Sequence, residues 1–438
     1  MAQSNSEEKK MKWWHLSLFG VGCTIGTGFF LGSSIGIKQG GPSIVFGIIL
    51  AGIATYIVYD GLAKLTASQP EKGAFRTYAK QAYGRWAGFS IGWIYWFSEI
   101  LIMGSQLTAL SIFSQFWFPE LPMWLFALGY AVLGLVVLLL GAKKLSKVEN
   151  LLAVIKFAAI LMFIIIAGAF VFGLFEGVKE LHIPKALNEF FPTGGIGFWS
   201  SLIFAFFAFG GIEVMGLMAV QLKEPKDAPK AGKVMILSLV AIYAIALALA
   251  IVLMPWDKFN TEKSPFIDSL KDFDLGIVPH IFNGALIIAG FSTMVASFYG
   301  VTTILVSLAE DEDAPSLFAK EGKLAVPIPA LGLLIFGIAV SIIMSLVLPE
   351  NIYAYITTAA GLMLLYNWFF IILSARKLRK VDLKESIKYY IGMVLLLAGV
   401  SGTLLDKVNR PGFFISLGII CVIGIVAFFM NKKWKKEN

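Results

Sequence analysis

The sequence predicts an all-helical integral membrane protein with twelve transmembrane helices, and three observations lead to this fold class. Of its 438 residues, 58% are hydrophobic and only 15% are charged, whereas a soluble chain carries about 25% charged residues. The mean hydropathy of +0.80 excludes a water-soluble globular protein, a disordered chain and a collagen-like fibre. Long apolar runs such as VLGLVVLLLG lack the alternation of membrane β-strands, so we expect the spans to be helices.

Each transmembrane helix requires about 20 apolar residues to cross about 30 Å of hydrocarbon. Twelve runs of this kind lie between polar segments of the chain. They cover about 13–37, 43–66, 86–117, 123–141, 149–174, 194–221, 232–254, 277–309, 326–348, 352–375, 388–405 and 412–431. The first run follows a polar leader, 1–12, and is too long and too rich in glycine for a cleaved signal peptide.

The positions of Lys and Arg predict the orientation of the chain. With the N-terminus inside, most of the 36 basic residues lie on the inner side of the predicted spans, including those in 143–147, 376–380 and 432–436. The positive-inside rule then places both termini in the cytoplasm, and we expect the plasma membrane as the location. The net charge of +8 reflects this asymmetry, so no nucleic-acid partner is expected.

The content of reactive side chains argues against several functions. Cys23 and Cys421 lie in apolar segments near opposite ends, and the chain has only three histidines. This pattern indicates neither a disulfide framework nor a metal centre, and we expect no cofactor. No catalytic cluster falls at membrane depth and no carbonyl-filter motif is present, so neither an enzyme nor a channel is expected.

Glycines interrupt two of the predicted spans, five spans apart. They occur at 20–28 in the first span and at 207–211 in the sixth, and each interrupted span precedes a Gly/Pro turn and an unusually long third helix. Five helices per unit give the units opposite orientations, and paired interruptions of this kind mark the binding sites of secondary transporters. The alternative is that these glycines only allow close helix packing.

The repeat divides the chain into five segments. They are a cytoplasmic leader (1–12), a first repeat (13–192), a second repeat (193–380), a pair of helices (381–431) and a basic cytoplasmic tail (432–438).

Unwound backbone inside a membrane predicts the chemistry of a ligand. Free N–H groups at the start of a half-helix and free C=O groups at the end of another must be satisfied. A carboxylate suits the N–H groups and the positive end of the helix dipole, and an ammonium suits the carbonyls. A free α-amino acid carries both charges on one carbon, so it is the expected ligand class.

Several motifs resemble one family of transporters. They are GCTIGTGFFLG at 22–32, PEKGAFRTYA at 70–79, GWIYWF at 92–97, FAFGGIEV at 207–214, EPKDAPKA at 224–231 and the loop 309–320. Together they are similar to the amino acid permease branch of the amino acid–polyamine–organocation superfamily. The resemblance implies a LeuT-like fold, with a 5+5 inverted repeat, discontinuous helices 1 and 6, and two additional C-terminal helices.

The resemblance also implies which backbone groups bind the substrate. The amides of Gly26, Thr27 and Gly28 would bind the carboxylate. The carbonyls of Thr24 and of helix-six residues would bind the ammonium, the latter being Phe207, Ala208 and Gly210. Phe207 would also act as an aromatic gate over the substrate.

Lys156 lies inside the fifth predicted span, where a lysine costs at least about 2.5–3.5 kcal/mol and is a functional candidate by default. The alternative is that its stem extends to the cytoplasmic surface. The resemblance implies that its ammonium occupies the position of a sodium ion in sodium-coupled relatives, near Gly22 and helix eight. We expect it to contribute to proton coupling, with Ser292 or Ser297 as candidate partners.

Two further acids and a set of pocket residues complete the candidates. Glu213 directly follows the second interruption and is either a structural acceptor or a proton carrier, and Glu99 is either a helix–helix contact or a substrate-facing group. The expected lining of the side-chain pocket is Phe207, Phe209, Met103, Ser105 and Gln106, with helix-eight residues around Phe291 and Ser292. Because this lining has no acid unless Glu99 or Glu213 turns inward, a neutral, apolar substrate is expected.

The sequence thus predicts a secondary transporter that takes up an α-amino acid by alternating access, coupled to protons. An obligate amino acid exchanger requires the same backbone site and is the alternative. An amino acid sensor with the transporter fold is a more distant one. The expected partners are the amino acid, protons and the lipid bilayer, and the residues do not indicate an accessory subunit.

Overall fold

The computed structural model describes residues 11–177, 180–320, 324, 326–347 and 352–437, without the side chains of 142–147, 344–347, 352, 436 and 437. Its α-helices follow in chain order. They are α1 (Trp13–Thr24), α2 (Thr27–Phe30), α3 (Gly32–Gly40), α4 (Ile44–Ser68), α5 (Ala74–Tyr83), α6 (Arg85–Gln115), α7 (Met123–Leu139), α8 (Ala142–Val171), α9 (Leu187–Phe190), α10 (Gly194–Phe207), α11 (Ile212–Met218), α12 (Ala228–Leu253), α13 (Pro265–Asp268), α14 (Val278–Glu310), α15 (Ile328–Val347), α16 (Ile352–Leu378), α17 (Leu383–Gly402) and α18 (Arg410–Glu437). The all-helical prediction is confirmed.

Eight helical stretches within the described residues are long and apolar enough to cross a membrane, and two shorter apolar helices, Met123–Leu139 and Ile328–Ile343, accompany them. This agrees with a multi-pass membrane protein. Because α1 is only 12 residues long, it would require its continuation after the break to cross, and the count of twelve stays a prediction.

The first predicted interruption is present. Helix α1 ends at Thr24, Ile25 is extended (φ −71°, ψ 103°), and α2 begins at Thr27 after the extended Gly26. The carbonyl of Gly26 accepts hydrogen bonds from the amides of Phe29 (3.1 Å) and Phe30 (3.0 Å), which starts the new helix. The amide of Ile25 still donates to the carbonyl of Val21 (2.9 Å), so the regular helical bonding is interrupted between Ile25 and Gly26.

The second interruption is also present. Helix α10 ends at Phe207 and α11 begins at Ile212. Gly211 has φ +112°, a left-handed conformation that residues with a Cβ rarely adopt. A Cβ at this position would also collide with the carbonyl of Cys23. Glycine is therefore required both by the backbone and by the close approach of the two interruptions.

The long helices position the two interruptions. Helices α6 (31 residues) and α14 (33 residues) confirm the predicted unusual lengths and pack against each other. Helix α1 packs against α8, α12 and α14, and α16 packs against α6 and α4. The interruptions consequently lie in the centre of the bundle, surrounded by long helices rather than by lipid.

The two ends of the described chain have defined structure. Met11 pairs with the segment between α11 and α12: its amide donates to Gln221 (2.9 Å) and its carbonyl accepts from Lys223 (2.8 Å). At the other end, α18 continues to Glu437, so the segment predicted as a basic tail (432–438) is mostly helical. The leader residues 1–10 and Asn438 lie outside the described residues.

Candidate functional site

The two interruptions contact each other directly. A Cβ on Gly28 would lie 2.9 Å from the carbonyl oxygen of Phe207 and 3.0 Å from its ring. A Cβ on Gly26 would lie 2.6 Å from the Thr293 side chain of α14. Glycines at these positions let the backbones of α2, α10 and α14 approach within contact distance.

A cavity lies where the interruptions meet. It is lined by the residues Cys23, Thr24, Gly26, Thr27, Gly28, Glu99, Ile102, Gln106, Phe207, Gly210, Gly211, Val214, Thr293, Ala296 and Ser297. Its volume is about 30 Å³, which holds about two water molecules. The structure is therefore a closed state, and any larger ligand requires the surrounding helices to separate.

Most of the predicted backbone site lies at this cavity. Gly26, Thr27 and Gly28 line it from the first interruption, and Thr24 closes one end. Because Thr27 and Gly28 begin α2, their N–H groups have no carbonyl partner within that helix. The exposed peptide groups are thus concentrated at one wall of the cavity.

Three buried polar atoms at the cavity have no hydrogen-bond partner within the part of the chain that the structure describes. They are Oγ1 of Thr24, Oε2 of Glu99 and Oε1 of Gln106. Unsatisfied buried polar atoms are costly, and native structures hold few of them. They are suited to a polar ligand or to water in this cavity.

Glu99 lies beside Ser297 and Tyr95 and faces inward, so the pocket does contain an acid.

Several predicted pocket residues lie elsewhere, contrary to the sequence prediction. Phe209 packs away from the cavity, with its ring centroid 5.4 Å from that of Tyr243. Met103 is fully buried in a cluster between α6, α7, α14 and α15. The hydroxyl of Ser105 donates to the carbonyl of Ile102 in its own helix (2.9 Å). Along α6, the cavity contacts Glu99, Ile102 and Gln106 because these positions are three and four residues apart and share a helix face.

The residues of α14 that line the cavity also differ from those predicted. The cavity contacts Thr293, Ala296 and Ser297 rather than Phe291 and Ser292. On α10, Phe207 lines the cavity as predicted, as does Gly210 beyond the end of the helix. Ala208 is buried and is not among the residues that line the cavity, and the role of its carbonyl stays a prediction.

Lys156 is fully buried, and its ammonium donates a hydrogen bond to the carbonyl of Gly22. Its stem therefore does not extend to the surface. The bond joins α8 to the end of α1, next to the first interruption, as the resemblance implies. Neither predicted α14 partner is correct, because Ser292 bonds to Glu149 and Ser297 lines the cavity.

Glu149 is the residue that sequence reasoning missed. It is fully buried, although it stands at the first position of the predicted span 149–174. The available signal was its spacing: seven residues, two helical turns, separate it from Lys156, which places both on one face of α8.

Glu213 holds the second interruption together. One carboxyl oxygen accepts the amide of Gly211 (3.1 Å), and the other accepts the indole N–H of Trp368 from α16. These two bonds fit the structural alternative for this acid, and its role as a proton carrier stays a prediction. Trp368 was not predicted.

Aromatic rings pack against α2, directly after the first interruption. Phe29 of α2 stacks on Tyr243 of α12 with 3.7 Å between ring centroids, and it also contacts Phe266 of α13. Lys38 donates to the carbonyl of Asp257, and Ser34 donates to that of Lys263 (2.5 Å). The loop 254–275 is thus tied to α2 and α3.

A multi-pass helical protein with two interrupted helices that enclose one cavity is, by fold and site, a membrane transporter. The sequence matches the family described as amino acid permease over residues 15–437. The chain therefore belongs to the amino acid permease family, within the amino acid–polyamine–organocation superfamily.

Relatives support the family over most of the chain. The uncharacterized transporter YcgH of Bacillus subtilis is 54% identical over 437 residues, which cover 99% of this chain and 98% of the relative. The aromatic amino acid transport protein AroP of Corynebacterium glutamicum is 31% identical, covering 84% and 80%. The gamma-aminobutyric acid permease of Bacillus subtilis is 29% identical, covering 87% and 82%.

Proposed function

We propose that this protein takes up an α-amino acid across the plasma membrane by alternating access, driven by protons. The arrangement would be the 5+5 inverted repeat with two further helices, with both termini in the cytoplasm. One observation carries the proposal: the interruptions at 25–26 and 208–211 meet at a single buried cavity with unused polar groups.

The substrate carboxylate would bind the amides of Gly26, Thr27 and Gly28. These amides lie at the beginning of α2, where the helix dipole favours an anion. The ammonium would bind carbonyls at the ends of α1 and α10, those of Thr24 and Phe207, with Ala208 and Gly210 beside them. Opposite charges of one ligand would then satisfy both interruptions.

Phe207 would act as the gate over this site. Its ring contacts Gly28 across the cavity, and the cavity of about 30 Å³ is too small for an amino acid. Movement of α10 away from α2 would therefore open the site and expose the peptide groups. Rocking of the helices that carry the interruptions would open it to each side in turn.

Lys156 and Glu213 would contribute to proton coupling. Both are buried, and each makes a hydrogen bond to backbone at or beside an interruption. A change in charge at or beside either group would alter how firmly that interruption is held. Replacing Lys156 with Ala is expected to weaken or abolish the dependence of uptake on a proton gradient.

The favoured substrate is a neutral amino acid with an apolar side chain. Ile102, Val214 and Phe207 supply apolar surface to the cavity. AroP, named for aromatic amino acids, matches 84% of this chain, which supports the same class. A thermal-shift screen of the purified protein against the standard amino acids would identify the ligand, because a bound ligand raises the apparent stability.

Transport in proteoliposomes tests the mechanism. Empty vesicles with an acidic exterior should accumulate the ligand that the screen identifies. A strict requirement for amino acid inside the vesicles would instead establish an exchanger. Binding without any movement of labelled ligand would favour a sensor.

A further inference from the structure

The buried carboxyl of Glu149 lies where the three helices α1, α8 and α14 meet. Its oxygen Oε2 accepts a hydrogen bond from the hydroxyl of Ser292 on α14. A Cβ placed on Gly22 of α1 would lie only 3.1 Å from the same oxygen. Glu149 thus stands on α8 in contact with both α14 and the end of α1, at the level of Gly22.

Lys156 stands two turns after Glu149 on α8, and its side chain also extends to Gly22. Seven residues correspond to about 10 Å along α8, and helical side chains lean toward the N-terminus of their helix. The side chain of Lys156 accordingly runs back toward Glu149 and ends on the carbonyl of Gly22. Gly22 therefore lies between a buried ammonium and a buried carboxyl.

The charges around Glu149 are few. Among the described residues, the groups facing it are Lys156 of α8, the Cys23 thiol of α1 and the Ser292 hydroxyl of α14, while α7 and α12 present no charged group to it. The ammonium and the carboxylate therefore balance each other locally.

One oxygen of Glu149 is unused. Oε1 is buried and has no hydrogen-bond partner among the described residues, whereas Oε2 already accepts from Ser292. A carboxylate with a free buried oxygen has room to accept a proton without breaking an existing bond. The ammonium of Lys156, by contrast, already donates to the carbonyl of Gly22, and a positive charge on the donor strengthens such a bond.

We propose that Glu149 is the site that binds the coupled proton, while Lys156 stays charged and holds the end of α1. This inference rests on the proposed proton coupling and assigns it to a particular carboxyl. The proton would come from the acidic side and form one O–H bond on Glu149. It would be released from that oxygen to the other side.

Protonation would change the balance of the cluster. The carboxylate–ammonium pair is neutral, whereas the protonated pair carries one positive charge in a low-dielectric interior, which is costly. The contacts of α1 with α8 and α14 would then loosen. Proton binding at Glu149 would thereby favour opening of the first interruption, where the substrate carboxylate would bind.

Glu149→Gln tests the assignment because it removes the titratable group and retains the shape and an acceptor. In proteoliposomes, the variant should lose proton-driven accumulation and the pH dependence of uptake. It should retain ligand binding in a thermal-shift assay and exchange of internal for external amino acid. The exposed Glu120→Gln is the matched control and should behave like the wild type.

Ser292→Ala provides a second test that leaves the carboxyl in place. The Ser292 hydroxyl stabilises the ionised carboxylate, so its loss should move the midpoint of the pH–uptake profile to higher pH. An unchanged profile in Ser292→Ala would overturn the assignment, even if Glu149→Gln did not fold. Accumulation and pH dependence in Glu149→Gln equal to those of the wild type would also overturn it.

The outcomes separate this inference from the proposed function. If the wild type shows no accumulation under a proton gradient, proton coupling itself fails. If the wild type accumulates ligand and Glu149→Gln does so equally, only the assignment to Glu149 fails.

Discussion

Arg76 and Asp313 form a buried ion pair in which the guanidinium nitrogen and the carboxylate oxygen are 2.6 Å apart, although 237 residues separate them in sequence. Both side chains are fully buried. Asp313 also accepts from Arg85 (2.7 Å), and Arg76 binds Asp311 (2.6 Å). This cluster fastens helix α5 to the loop that follows α14.

Removing one partner of this pair should destabilise the protein strongly. Asp313→Asn leaves the Arg76 charge buried with a weaker partner, and breaking a buried pair costs about 3–5 kcal/mol. The expected result is a clear decrease in the thermal unfolding temperature of the detergent-purified protein. Asp272→Asn, at an exposed loop position, should leave that temperature unchanged. A wild-type temperature in Asp313→Asn would show that the cluster contributes nothing to stability.

Gly28→Leu should abolish substrate binding and leave insertion into the membrane intact. A side chain at this position meets the carbonyl and ring of Phe207 and blocks the proposed carboxylate site. The measurement is the ligand-induced thermal shift of the purified variant. Gly168→Leu is the control, since its Cβ meets no atom within 4 Å. Normal binding by Gly28→Leu would contradict the placement of the carboxylate.

Phe207→Ala should make the cavity more accessible, because the ring that packs across it is lost. Cys23 lines this cavity, and Cys421 is the other cysteine of the chain. In a Cys421→Ser background, a water-soluble thiol reagent should label Cys23 faster when Phe207 is replaced. Saturating substrate should slow the reaction. Equal labelling rates with and without the ring would remove the gate assignment.

Glu385, near the end of α4 and the start of α17, should make the stability of the protein depend on pH. Partial burial alone would raise the pKa of this carboxyl, but hydrogen bonds from Arg379 (2.7 Å) and Lys64 (2.9 Å) outweigh it and lower the pKa to about 2. A folded-state pKa below the unfolded value of 4.5 stabilises the folded state fully above pH 4.5. This contribution is lost as the pH falls toward 2.

The corresponding experiment compares thermal unfolding of the wild type and Glu385→Gln between pH 7 and pH 3. The wild type should be the more stable at pH 7, and the difference should shrink as the solution becomes more acidic. A difference that is constant over this range would show that ionisation of Glu385 does not stabilise the fold.

The sequence predicted the features that follow from local composition. Apolar runs and the distribution of charge indicated helices in a membrane, because hydrocarbon accepts only backbone that satisfies its own hydrogen bonds. Glycine clusters at 20–28 and 207–211 predicted both interruptions, since glycine weakens helices wherever it occurs. Gly211, with its positive φ, is the clearest case.

Side-chain partners depended on the tertiary structure. Which residues of α6 face the cavity is decided by the rotation of that helix against α14, so Glu99 faces inward and Met103 does not. The partner of Ser292 is Glu149, from a helix more than 140 residues away. The local pattern of the sequence does not contain the distances between atoms that are far apart along the chain. Which charged side chains face the buried site was therefore decided by the packing of the helices against each other. The helices and their interruptions were determined by the sequence itself.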